Sequence, residues 1–254
     1  MPFVSNRGQR IHYTVEGEGP LVIFQHGMLS SAADWKQAGF VDALTDKYRV
    51  ACVDSLAHGL SDKPTDRGVY DQAERAGDLV AVMDALGAGR AHLIGYSMGS
   101  WMCIGVAKYH PARVASLVVG GWGLVDGVRT LPPTRSGHLS PDQLLKFARR
   151  HAPALVEWVT PDVELGLRAA WDALSELDGA ADAVLGLPVP VLLWDGREDG
   201  YHDPMRAFAA AHGLPFLSTP GNHLGAMSPH GAVAARGIRD FLDGVSGCPA
   251  GRRS

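Results

Sequence analysis

Short apolar runs rich in β-branched residues alternate along this chain with stretches whose apolar positions recur at helical spacing. That alternation predicts a mostly parallel sheet covered by helices. Strands are expected at 10–15, 21–25, 49–53, 91–95, 114–119, 189–194 and 215–217. Helices are expected around 34–45, 70–86, 98–109, 204–212 and 229–242. Within the second of these, Leu79, Val80, Met83 and Leu86 share one face, which should pack on the sheet. The alternation breaks after Val119. No strand pattern is visible in 124–182, but Ser140-Pro141 and Thr160-Pro161 are good helix starts, with Ser140 and Thr160 as N-caps. The helix after Thr160 places Val163, Leu167, Trp171 and Leu174 on one side.

This pattern divides the chain into an α/β core, 1–123 and 183–243, with 124–182 as a small helical cap inserted in it and 244–254 as a frayed tail. The alternative for the insertion is an extra helical layer without a gating role. The length of 254 residues suits one large domain carrying such an insertion.

Composition narrows the function. Hydrophobic residues make up 46% and charged residues 20%, as in ordinary globular domains, which argues against a disordered chain or a coiled coil. The formal net charge is -4 and there is no long basic run, so nucleic acid and anionic membranes are not the expected partners. Residues 1–10 lack an apolar core of signal-peptide length, and no segment is long and apolar enough to span a bilayer; a cytoplasmic protein is expected. Cys52, Cys103 and Cys248 form no close pair and no zinc-binding spacing, so neither a disulfide framework nor a metal is expected.

The strongest chemical signal is Gly95-Tyr96-Ser97-Met98-Gly99, a G-x-S-x-G sequence directly after an apolar strand and directly before a helix. A serine in such a turn is strained and exposed above the sheet, beside helix amides that favour negative charge. As a nucleophile it needs a histidine and a carboxylate. Of eleven histidines, His223 lies in a loop between the last strand and the last helix, where its side chain can reach across the strand ends. His202 is its rival, because it shares the loop of the acid candidates. His12, His92, His110, His212 and His230 sit where packing or surface roles explain them. For the acid, Asp199 is preferred over Asp195 and Glu198, which read as turn and ion-pair residues. Asp203 reads as a helix cap, and Asp126, after the preceding strand, is an outside candidate. His26-Gly27-Met28-Leu29 follows a strand, so the Met28 and Met98 amides can converge on one point as an oxyanion hole. His26 is read as fixing that loop.

Together with Asp54-Ser55-Leu56-Ala57-His58-Gly59-Leu60-Ser61, Gly196-Arg197-Glu198-Asp199 and Gly221-Asn222-His223, these motifs make the chain resemble the α/β-hydrolase superfamily over nearly its whole length. The resemblance implies Ser97 as nucleophile, Asp199 as acid, His223 as base, and Met28 with Met98 as oxyanion donors. It departs from the usual pattern at Ala57, where glycine is common, and at Ser100. Family members with aspartate as nucleophile, such as haloalkane dehalogenases and most epoxide hydrolases, are disfavoured by Ser97. The implied activity is hydrolysis of a small to medium hydrophobic ester, lactone or thioester without a cofactor, with Leu29, Trp122, Leu167 and Trp171 against the substrate. Oligomeric state is left open. A carbon–carbon bond hydrolase, a cofactor-free dioxygenase and a slow-turnover signalling receptor are the alternatives on the same fold. A dinucleotide enzyme is poorly supported, because Gly121-Trp122-Gly123 is not completed by the third glycine.

Overall fold

The computed structural model describes residues 2–125, 127, 139–174 and 179–247. Eight strands form one sheet: β1 (Phe3–Asn6), β2 (Gln9–Glu16), β3 (Leu21–Gln25), β4 (Arg49–Val53), β5 (Ala91–Tyr96), β6 (Val114–Gly120), β7 (Val191–Gly196) and β8 (Phe216–Thr219). Their order across the sheet is β1-β2-β4-β3-β5-β6-β7-β8. The two N-terminal pairings are antiparallel and the others parallel.

The central strands are buried on both faces, and their residues alternate between two cores. Ile23, Leu93, Leu117, Val119 and Leu193 point into one, with helices α2 (Gln72–Ala85), α3 (Met98–Tyr109) and α7 (His202–His212). Val22, Phe24, Ile94, Val118 and Trp194 point into the other, filled by Trp35 of α1 (Ala32–Gln37) and by Ala234, Ile238 and Leu242 of α8 (Gly231–Gly247).

Strand order locates the site. The chain leaves β3 toward β4 on one side and leaves β5 toward β6 on the other, so a crevice opens at the carboxyl ends of β3 and β5, the topological switch point where open α/β sheets bind ligands. His26-Gly27-Met28 follows the first of these strands and Ser97 the second.

Several expected boundaries move. The helix expected over 34–45 stops at Gln37, where Gly39 takes φ +83° and the chain continues as turns to Lys47. β1 was not expected, because an edge strand with half-exposed side chains carries no core pattern. The last helix extends through Gly247 rather than fraying after Asp243, while Cys248 and the rest of the expected tail lie outside the described residues. Asp203 is not a cap: α7 begins one residue earlier, with Tyr201 as N-cap, and Asp203 bonds His202 and Arg206.

In the expected cap segment, α4 (Pro141–His151) starts with a Ser140/Gln143 capping box, and α5 (Pro161–Ala173) starts after Thr160, which caps without a side-chain bond. A Cβ at Gly166 would stand 3.2 Å from Ala57 Cβ, so α5 lies directly on the loop after β4. Exposed Arg149–Glu164 and Arg168–Asp142 pairs join α4 to α5, but such pairs contribute about 0–1 kcal/mol each. Truncating a buried side chain such as Leu167 costs about 2–5 kcal/mol, so apolar burial is what holds α5 down. A short helix α6 (Ala180–Leu185) bridges the expected boundary at 182 and returns the chain to β7.

Among the described glycines, the one with least room for a side chain lies at the start of α3. A Cβ on Gly99 would sit 1.9 Å from the Gln25 carbonyl oxygen, a distance that no side-chain rearrangement relieves. Gly87, at φ +66°, has nothing within 4 Å of its Cβ position, so alanine there adds only left-handed strain of about 1–2 kcal/mol. Gly99→Ala should therefore lower the melting temperature far more than Gly87→Ala or prevent soluble expression, and comparable melts of the two would contradict this account of the elbow.

Candidate active site

Ser97 occupies the turn between β5 and α3 at φ 54° and ψ -123°, a conformation non-glycine residues rarely hold. It is kept there by its amide, which donates to the Gly120 carbonyl (2.8 Å), and by close packing on both sides. A Cβ on Gly95 would meet the Gly99 backbone at 2.5 Å. Ser100, where the family pattern favours glycine, uses its hydroxyl to bridge Gly120: it donates to the carbonyl (2.7 Å) and accepts from the amide (2.9 Å).

Gly27 abuts Ser97, its Cβ position lying 3.2 Å from Ser97 Cβ, which brings the Met28 segment beside the serine. Among the described residues, neither the Met28 nor the Met98 amide is taken by an acceptor. Two unengaged backbone donors near a half-buried serine are groups that a developing oxyanion could use.

The structure brings two of the other candidates together. His223 Nδ1 lies 2.6 Å from Asp199 Oδ2, with Asp199 almost fully buried and His223 one-quarter exposed. Because the carboxylate accepts, Nδ1 carries the proton and Nε2 presents its lone pair. Tyr96, next to Ser97, donates its hydroxyl to the His223 carbonyl (2.7 Å) and its ring lies tilted against the imidazole (5.2 Å), so the elbow and the loop carrying His223 are tied together. Ser97 Oγ and His223 are not hydrogen-bonded to each other here; such bonds commonly tighten only with substrate.

The remaining acid and base candidates separate from this pair. His202 Nε2 bonds the Ser218 hydroxyl (2.8 Å) and its Nδ1 faces Asp203. Glu198 and Arg197 form no ion pair among the described residues, and Asp126 lies outside them. Asp195 departs from its expected role as a turn residue. It is a β7 residue with no exposed surface, and its Oδ1 accepts the Gly196 amide (2.8 Å). Burial and the neighbouring Asp199 charge push its pKa up to about 9. Its Oδ2 is buried without a hydrogen-bond partner among the described residues. Burial works against the Asp199 carboxylate too, but the His223 imidazole, the Tyr201 amide and Asp195 together hold its pKa below the ordinary value.

His26 does not offer itself for proton transfer. Its Nδ1 donates to the Gly27 carbonyl (2.7 Å), its Nε2 accepts the Ser55 amide (3.0 Å), and burial lowers its pKa. Asp54, which sequence reading left without a role, gathers His12 Nδ1 (2.7 Å) and the amides of Ala32 (2.7 Å) and Leu60 (3.0 Å), locking the loop after β4. Tyr96 was equally missed; its signal is an aromatic hydroxyl embedded in an otherwise glycine-flanked turn.

The expected substrate-contacting residues Leu29, Trp122, Leu167 and Trp171 are all buried. None lines the apolar cavity beside the site, which is walled by Leu124, Val125, Tyr201, Met205 and Phe208. Tyr201 connects that cavity to the site through its ring contact with His223 (5.8 Å). Among the described residues, no three His, Cys, Asp or Glu side chains gather as metal ligands, and no helix is long and apolar enough to cross a membrane.

Residues 20–161 match the model of the α/β hydrolase fold family, and the chain belongs to that family. Among curated relatives, it is 33% identical over 135 residues to the cis-3-alkyl-4-alkyloxetan-2-one decarboxylase of Shewanella oneidensis, covering 52% of this chain and 41% of that one. It spans about half or less of the length of the curated relatives it matches. Among solved structures, the enol-lactonase of Burkholderia xenovorans LB400 superimposes with a TM-score of 0.74 at 22% identity, covering 95% of this chain and 100% of that one. A thermophilic esterase from Thermogutta terrifontis gives 0.75 at 22% identity, covering 96% and 98%. At these identities the structural likeness establishes the fold alone.

The Asp195–Asp199 pair has a consequence for stability. Folded Asp195 keeps its proton through neutral pH while the unfolded carboxyl releases it, so the folded state binds more protons. Stability must then fall as pH rises from the ordinary carboxylate range toward 9. Asparagine preserves the acceptor for Gly196 and carries no charge. Asp195→Asn should therefore melt above the parent at about pH 8–9, by a margin that shrinks toward about pH 5. A pH-independent margin would contradict the buried-acid assignment.

Proposed function

We propose that the protein is a serine hydrolase that cleaves a small to medium hydrophobic carboxylic ester, lactone or thioester through an acyl-enzyme on Ser97. The observation that carries this reading is the 2.6 Å Asp199–His223 pair, tied by Tyr96 to a serine held at positive φ over the switch point of the sheet.

In the first half-reaction, His223 Nε2 takes the Ser97 proton as Oγ attacks the acyl carbonyl carbon. The carbonyl oxygen becomes an oxyanion, and the Met28 and Met98 amides donate to it at the N-terminus of α3. Collapse of the tetrahedral adduct expels the alkoxide or thiolate, which receives the proton from His223 and leaves an ester on Ser97. Water then repeats the sequence: His223 deprotonates it, the second adduct collapses, and the proton returns to Ser97 Oγ as the carboxylic acid departs. Asp199 stays ionised throughout, orienting the ring and stabilising the imidazolium.

Lactones are included because an oxetanone-acting relative shares a third of its aligned residues with this chain and an enol-lactonase shares its fold. A serine, rather than an aspartate, at the elbow favours acyl transfer over opening of an epoxide or displacement of a halide.

A fluorophosphonate probe should label Ser97 alone, with labelling abolished in Ser97→Ala. On a panel of aryl esters of graded acyl length, Asp199→Asn should fold normally and lose about 10⁴ in kcat, the loss that this change causes in the serine-protease template. Labelling that persists in Ser97→Ala, or full turnover in Asp199→Asn, would overturn the assignment of nucleophile or acid respectively.

A further inference from the structure

The loop carrying Met28 needs something to hold its aim, because Leu29, the residue after Met28, sits at φ 64°. A branched side chain in that left-handed region persists only where its surroundings over-determine it. The turn itself supplies one long bond, from the Ser30 amide to the Gly27 carbonyl (3.3 Å). A second tether comes from the loop after β4: the Leu29 amide donates to Nε2 of His58 (3.2 Å).

His58 can play this part in only one protonation state. Its Nδ1 lies 3.0 Å from the Leu56 carbonyl, which only accepts, so Nδ1 carries hydrogen. Its Nε2 faces an amide, which only donates, so Nε2 carries a lone pair. A doubly protonated ring would set two hydrogens against each other at Leu29. The ring has no exposed surface, lying 5.1 Å from the ring of His26 and 5.8 Å from that of Trp158 in the α4–α5 connection. Trp158 is itself fixed by its indole N–H, which donates to the Leu155 carbonyl (2.8 Å). Burial, and then the Arg75 and Lys63 charges, keep the imidazole neutral. The ring also springs from a constrained segment: Ala57, immediately before it, is at φ 69° and donates its amide to the Asp62 carbonyl (2.9 Å).

We infer that His58 is a positioning residue of the oxyanion loop: its neutral imidazole accepts the Leu29 amide, fixes the left-handed turn there, and so aims the adjacent Met28 amide at the reacting centre. The packing of Trp158 on the same ring extends the contact to the helical segment above the site. This assignment rests on the reading of Met28 as an oxyanion donor.

The test uses His58→Phe, which keeps a ring against Trp158 but removes the acceptor, and His58→Gln, whose side-chain oxygen can still accept. An ester substrate reports kcat and KM, and an aryl trifluoromethyl ketone, which forms a tetrahedral oxyanion adduct with serine, reports Ki. A misaimed donor weakens the adduct and the transition state together but leaves substrate binding nearly unchanged. His58→Phe should lower kcat and weaken Ki by a similar factor, about 10- to 100-fold, with KM within about threefold. His58→Gln should recover part of both. A folded His58→Phe protein with kcat and Ki within about threefold of the parent overturns the inference. Should that variant fail to fold, nitrogen NMR of the parent imidazole decides the question: hydrogen on Nδ1 alone is expected, and hydrogen on Nε2 overturns it. A parent that neither hydrolyses esters nor binds the ketone would overturn the hydrolase reading itself, an outcome distinct from an active parent indifferent to His58.

Discussion

The approach of the first turn of α3 to the end of β3 is the contact on which the rest of the crevice depends. At Gly99 the helix backbone lies so close to the Gln25 carbonyl that no side chain fits between them. In the same turn Ser97 holds positive φ and Gly27 lies against its Cβ. Because β3 and β5 are adjacent parallel strands with their connections diverging, the same contact sets the width of the crevice between them. The two unengaged amides, Met28 and Met98, belong to the two sides of that contact, so their separation follows from backbone packing rather than from any side chain.

Around this frame, buried ionisable groups are held in different charge states by their surroundings. His26 and His58 each spend both ring nitrogens on fixed backbone partners, and burial holds them neutral. Asp195, fully enclosed, is held as the neutral acid, while Asp199 a turn later stays ionised against the His223 imidazole. Two carboxylates in one buried loop cannot both carry charge cheaply, and the difference is decided by partners: Asp199 has an imidazole and an amide, Asp195 only the amide next to it. Keeping Asp195 neutral removes a like charge from beside Asp199, which lowers the cost of keeping Asp199 ionised beside its histidine.

Sequence reading caught the parts of this arrangement that are written locally. β3, β5, β6 and β7 read clearly because apolar runs buried on both faces leave little ambiguity, and the G-x-S-x-G turn announces itself by its flanking strand and helix. The Asp199–His223 proximity, by contrast, links residues on different strand-end loops, and choosing Asp199 over Asp195 from sequence rested on position alone. Asp195 read as a turn residue because it stands at the strand terminus; its burial there, beside the Asp199 charge, raises its pKa and keeps it protonated. Tyr96, Asp54 and His58 escaped notice for a common reason. Their partners are backbone groups or residues far along the chain, and a sequence carries no mark of which carbonyl or amide a side chain will meet.

Backbone strain points to the same crevice without reference to any motif. Apart from Arg7 in the β1–β2 turn, the described non-glycine residues at positive φ are Leu29, Ala57 and Ser97, which follow β3, β4 and β5, three neighbouring strands at the carboxyl edge of the sheet. Each such conformation costs about 1–3 kcal/mol, and three together are an appreciable share of a net folding stability of about 5–15 kcal/mol. A fold retains that burden only where rigid neighbours impose it. Here each residue has its own restraint: the Gly120 carbonyl for Ser97, the His58 imidazole for Leu29, and the Asp62 carbonyl with α5 overhead for Ala57. Strain distributed along an exposed loop would relax; strain pinned at the ends of three buried strands cannot. The segments that present Met28 and Ser97 are therefore set before any substrate arrives, which is the condition under which fixed backbone donors can stabilise a charge that exists only in the transition state.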